Sequence, residues 1–239
     1  MQRFLSIRNS TRAINTLRKL ALHEVSRWVL VGGLAVEFHS LRVGGSHRIR
    51  RLNDIDFATL GFECIPETLA QDFLFRHVHP FAPPGKTMMQ LVDADPSVRV
   101  DVFRAGSGVM NRAIWFDGPS GPLRVASVED LVAHGARVLL DLDAGVPVPA
   151  KHADDYLRLA DLVKSPDMEP VWQDHRKPTH PMTFGETNTF VKRLIATRRK
   201  LLISLKYSDD PAEICPRCVP SPPFQLADPK VVLSLLGYC

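Results

Sequence analysis

Two short runs set the strongest limits on how this chain can fold. In Asn53-Asp54-Ile55-Asp56-Phe57 and Val98-Arg99-Val100-Asp101-Val102, charged residues alternate with β-branched and aromatic ones. Side chains alternate faces along a strand, so Asp54 and Asp56 point one way while Ile55 and Phe57 enter a core. In the second run Val98, Val100 and Val102 line one face and leave Arg99, Asp101 and Phe103 on the other. If the two strands are neighbours, Asp101 joins Asp54 and Asp56. Three close carboxylates repel one another and raise their own pKa values unless a cation neutralises them. Oxygen-only ligands favour a hard cation, most simply Mg2+. Two such ions, about 3.5–4 Å apart, can clamp the oxygens of an in-line phosphoryl displacement.

A second feature precedes these runs. The apolar stretch Trp28-Val29-Leu30-Val31 ends in Gly32-Gly33, which predicts a strand running into a helix of inward-facing Leu34, Ala35, Phe38 and Leu41. Glycine lets backbone approach a phosphate, and the free N–H groups of a helix N-terminus bind anions. Taken singly, a diglycine is a tight turn, an Asp-x-Asp is a solvated strand end, and an Asp among valines is half of an ion pair. Their order and spacing together point to a nucleotide site.

The order Val31-Gly32-Gly33-Leu34-Ala35, Arg50-Arg51-Leu52-Asn53-Asp54-Ile55-Asp56 and Val100-Asp101-Val102 resembles the DNA-polymerase-beta-like nucleotidyltransferase superfamily. Within it the chain looks most like the minimal bacterial branch that contains the AbiEii-type toxins. The resemblance covers roughly residues 10 to 165. It implies that Gly32 and Gly33 hold a nucleoside triphosphate and that Asp54, Asp56 and Asp101 are the catalytic, metal-holding residues. The reaction it implies is NMP transfer from an NTP with release of pyrophosphate. It also singles out Arg50, four residues before Asp54, as a phosphate contact. Lys151-His152-Ala153-Asp154-Asp155-Tyr156-Leu157 is similar to the family's Lys-x-x-x-Asp-Leu helix, whose Lys approaches the nucleotide, although Tyr156 stands where that pattern has Leu. Two more departures are Leu52, where a Thr or Ser is usual, and His134-Gly135, where many relatives carry Lys.

At 239 residues the chain can bury one substantial core and a small appendage. A 45% apolar and 23% charged composition is that of an ordinary globular protein, and a net charge of +4 tilts it mildly towards polyanionic partners. No apolar run reaches the roughly eighteen residues of a membrane span, and the N-terminus has no continuous apolar core of a secretory signal. Four cysteines are too few for a disulfide scaffold, so a reducing cytoplasm is expected.

In chain order, Asn9 or Ser10 caps a helix to about Val25, with Ile14, Leu17, Ala21 and Val25 inward. Residues 42–51 read as a basic loop, and Pro66 to about Phe75 as a helix. His77 and His79 read as surface strand residues rather than metal ligands. Thr87 to Val92 should pair with Val98 to Arg104 across the turn Asp93-Ala94-Asp95-Pro96. Ala113–Phe116 and Leu123–Val125 are short strands, and Ser127-Val128-Glu129-Asp130 starts a helix in the manner of a capping box. Pro166, Pro170, Pro178 and Pro181 predict a linker over 166–181. Thr187 or Asn188 then opens a helix to about Lys206, with Phe190, Leu194, Leu201 and Leu205 on one stripe. Lys192, Arg193, Arg198, Arg199 and Lys200 give it a basic face, either solvated or contacting nucleic acid or an antitoxin. Cys215-Pro216-Arg217-Cys218 has the spacing of half a zinc knuckle; lacking a second pair, it reads as two free thiols, with zinc the alternative.

The expected architecture is α/β (α+β): a small mixed sheet with flanking helices over 1–165, then a linker and helical extension over 166–239. The expected function is transfer of an NMP, with two Mg2+ ions, to a hydroxyl of tRNA or protein, as the toxin of a toxin–antitoxin pair with a cognate antitoxin. The competing expectation is a catalytically silent module of the same fold that binds nucleotide, nucleic acid or a protein partner.

Overall fold

The computed structural model describes residues 7–42, 54–61, 65–78, 88–93, 95, 98–118 and 121–204. They form two compact units, one built from residues 7–35 and 54–125 and the other from residues 36–42 and 126–204. The division between these units falls at 125/126, where the helices that follow pack with one another.

The first unit is a seven-stranded mixed sheet. Its strands are β1 (Val29–Val31), β2 (Asp54–Thr59), β3 (Leu74–Val78), β4 (Met88–Asp93), β5 (Val98–Arg104), β6 (Ile114–Gly118) and β7 (Gly121–Val125), in the order β3-β4-β5-β2-β1-β7-β6. Strands close in sequence pair antiparallel, as β3 with β4, β4 with β5 and β6 with β7 do. The centre is assembled from distant pieces: β2 runs parallel to β5 and antiparallel to β1, and β1 runs parallel to β7. The expected pairing of the fourth and fifth strands is present, with Met89 opposite Val102 and Leu91 opposite Val100. The alternation in the sequence works as it should: Ile55, Phe57, Val98, Val100 and Val102 are buried, and Trp28 packs against Phe57 with ring centroids 5.6 Å apart.

Helix α1 (Ile7–Leu20) lays Ala13, Ile14, Leu17 and Leu20 into this core. It stops five residues short of the expected end at Val25. Leu22 and His23 turn back with tighter backbone bonds to Lys19 and Leu20, and His23 is held by Thr68 and Asp72, each 2.9 Å away. Thr16 and Lys19 anchor the helix to the fully buried Asp93 at 2.8 and 2.7 Å. Burial lowers the Lys19 ammonium, but its hydrogen bond to Asp93, the larger influence, leaves it above its ordinary value. The helix expected after Pro66 is one 3-10 turn, Glu67–Gln71, because Leu74 and Phe75 are drawn into β3 opposite Val92 and Leu91.

The second unit is helical. Its elements are the end of α2 (Gly32–Arg42), α4 (Val128–Leu139), α5 (Ala150–Ala160), α6 (Ser165–His175) and α7 (Phe184–Thr197), with a short parallel pair, β8 (Val148–Pro149) and β9 (Leu202–Ile203). The remaining helix, α3 (Ser107–Arg112), belongs to the sheet unit. Ser127 caps α4 as expected, its Oγ accepting from the Asp130 N–H and donating to Asp130 Oδ2 at 2.7 Å. A Cβ at Gly135 would meet Tyr156 Cδ2 of α5 at 3.4 Å, an ordinary van der Waals contact.

The stretch 166–181, expected as a linker, is largely helix. Pro166 takes an early position where no intrahelical N–H is needed. Pro170 costs one such bond, offset by burial of Met168, Val171 and Trp172. Trp172 Nε1 donates to the Pro181 carbonyl at 3.0 Å, and its ring stacks on His180, which fastens the following turn. The next helix starts at Thr183, four residues earlier than expected, through a full capping box with Glu186. Its buried residues are Phe184, Thr187, Val191 and Leu194, whereas Phe190 is half-buried. Lys192, Arg193, Arg198, Arg199 and Lys200 are all exposed. No helix among the described residues is long and apolar enough to cross a membrane. Leu205, Cys215, Cys218 and 231–236 lie outside the described residues.

Candidate metal centre

The parallel register of β2 and β5 aligns Asp54 with Arg99 and Asp56 with Asp101. Adjacent strands thereby place three carboxylates on one face. One oxygen from each of Asp54, Asp56 and Asp101 lies within 4.8 Å of the others. Asp101 is buried, and Asp54 and Asp56 are half-buried. Oxygen-only donors at this spacing suit a hard divalent ion better than a thiophilic one, so the residues fit Mg2+.

The glycine turn closes on the same point. Antiparallel pairing sets Val31 opposite Asp56, so the residue after β1 arrives beside that carboxylate. Gly32 has φ +63°, and a Cβ built on it would collide with the Asp56 carboxylate, lying 2.7 Å from its Cγ. Two independent constraints, backbone conformation and space, therefore demand glycine at this position. Gly33 is the second residue of α2. The N-terminal turn of that helix and the Asp56 carboxylate are consequently adjacent.

Arg99 was not among the residues singled out from sequence, although period two had placed it on the face of Asp101. Its Nη2 donates to Asp54 Oδ2, and its Nε lies 3.2 Å from Asp101 Oδ1. Burial disfavours the charged guanidinium, but Asp101, Asp54 and Asp56 together outweigh it and hold its pKa above the ordinary value. The four side chains Asp54, Asp56, Arg99 and Asp101 thus carry three formal negative charges and one positive. Such a group can accept a further cation.

Of the other expected contacts, Lys151 is among the described residues and Arg50 is not. Lys151 stands half-buried at the second position of α5, in the helical unit. Arg50 and Leu52 lie outside the described residues, as does His79, and of His77 only the backbone, in β3, is described.

No family model matches the chain, and no curated protein sequence does. Several solved structures share part of its course, two of which follow. One is an antigenic nucleotidyltransferase-like protein from Paracoccidioides brasiliensis, 13% identical over 84% of this chain and 96% of that one, with a TM-score of 0.47. The other is the antibiotic-resistance factor ANT(2'')-Ia, 14% identical over 80% of this chain and 97% of that one, with a TM-score of 0.42. Likenesses this remote carry no assignment, and function rests on the chain's own residues.

Proposed function

We infer that this protein is a metal-dependent nucleotidyltransferase that moves an NMP from an NTP to a hydroxyl acceptor. The observation that carries the reading is the meeting of Asp54, Asp56 and Asp101 within 4.8 Å, next to a glycine whose missing side chain makes room for one of them. Divalent ions held by these carboxylates would neutralise phosphate oxygens and lower the pKa of an acceptor hydroxyl. The chain supplies position and charge. Gly32 and Gly33 offer backbone to the triphosphate, and Arg50 and Lys151 are its cationic contacts. No nucleophilic side chain is needed, because alignment of two bound reactants lowers the barrier to an in-line displacement.

The acceptor we favour is tRNA or a protein, and the role is that of an AbiEii-type toxin held by an antitoxin in the cytoplasm. The sequence order of the motifs supports this reading, and the exposed basic residues of α7 suit a polyanionic partner. A second reading, a catalytically silent nucleotide-binding module, is favoured by one observation: Arg99 already pairs with two of the three carboxylates. Incubation with each α-labelled NTP, Mg2+, and total tRNA or cell lysate separates the two. Label that appears on a macromolecule and vanishes in Asp56→Ala supports the enzyme, and nucleotide binding without transfer supports the module.

A further inference from the structure

Resting on the metal-centre reading, we propose that Arg99 is an exchangeable counter-ion: a divalent cation entering at Asp54 and Asp101 displaces its guanidinium, which then contacts a phosphate of the nucleotide. Three observations on this chain lead there. First, Arg99 bonds Asp54 Oδ2 and lies 3.2 Å from Asp101 Oδ1, on two of the three groups that a metal would need. Second, the hold is incomplete, since its buried Nε makes no hydrogen bond among the described residues. Arg–carboxylate pairs are frequently bidentate, with two parallel N–H···O bonds, and this one has a single such bond to Asp54. Third, its side chain is 26% exposed, so the guanidinium end can leave the carboxylates without opening the core.

The charge balance gives the exchange a direction. With Arg99 in place, the four side chains sum to two negative charges, which one divalent ion cancels. A second ion would then leave the site positive, a state stabilised when a triphosphate brings its own negative charge. A planar, permanently charged guanidinium suits phosphate oxygens as well as carboxylates, so it keeps a partner after displacement. Arg99 therefore limits self-repulsion of the carboxylates before metal enters and binds the nucleotide afterwards.

The test is Mn2+ binding to the full-length protein, followed by electron paramagnetic resonance without nucleotide, for wild type, Arg99→Met, Arg99→Lys and Asp56→Asn. Arg99→Met is expected to bind Mn2+ about tenfold more tightly than wild type, because the competing cation is gone. At saturating Mn2+ it should bind a non-hydrolysable ATP analogue at least fivefold more weakly. Arg99→Lys, which keeps the charge but not the fork, should fall between the two and serves if the methionine variant does not fold. Equal or weaker Mn2+ binding in both Arg99 variants would overturn the exchange. Mn2+ binding that is absent from wild type, or unchanged in Asp56→Asn, would instead overturn the metal centre on which the exchange rests.

Discussion

Each unit of the molecule buries matched charge, as Lys19 with Asp93 in the sheet unit, but the carboxylate cluster of the sheet unit is built differently. In the helical unit, Glu37 is fully buried and receives both arms of Arg158, at 2.8 and 3.2 Å. Asp130 likewise takes the Ser127 hydroxyl on one oxygen and His175 on the other at 2.9 Å. In the sheet unit, the guanidinium of Arg99 lies against both Asp54 and Asp101, and Asp56 stands within 4.8 Å of them. A matched pair fixes helices in place. A cluster of like charges costs stability and is retained where another cation is to bind.

If that contrast holds, the two regions should respond oppositely to loss of charge. The largest effect is expected from Arg158→Ala, which strands Glu37 in the core and should cost about 3–5 kcal/mol in urea unfolding. Next comes Asp56→Asn. NMP transfer should fall about 100- to 1,000-fold, yet stability in metal-free buffer should stay within about 1 kcal/mol of wild type or rise, since one repelling charge is gone. Gly32→Ala should reduce transfer about 100-fold, because the new methyl group must push the Asp56 carboxylate aside; Mn2+ affinity measured on the same variant checks that cause. The smallest change is expected at Gly135→Ala, where the methyl group meets Tyr156 at ordinary contact distance. The helix gains up to about 1 kcal/mol there, read as a higher thermal midpoint.

Much of the sheet unit could be read from sequence, because its strands follow strict period two. Ile55, Phe57, Val100 and Val102 announce their burial and Asp54, Asp56 and Asp101 their shared face. What the alternation does not contain is register. Asp54 meets Arg99 only because β2 and β5 pair in parallel at that offset, and nothing local encodes it. The helical unit was less legible for a different reason. Prolines at 166 and 170 read as breakers, yet one sits in the first turn and the other is overridden by the burial around Trp172. The start of α7 did carry a readable signal, Thr183-x-x-Glu186, which the later Thr187 and Asn188 obscured. The surroundings of Gly135 depend on Tyr156 of another helix, so the space open to a methyl group there is not legible in the local sequence.

A crystal soaked with Mn2+ and a non-hydrolysable ATP analogue addresses the central claim most directly. Anomalous scattering should place density bridging Asp54, Asp56 and Asp101, with the triphosphate beside Gly32 and Arg99 turned from the carboxylates to a phosphate oxygen. Density confined to other sites, with Arg99 still seated on Asp54, would contradict the account.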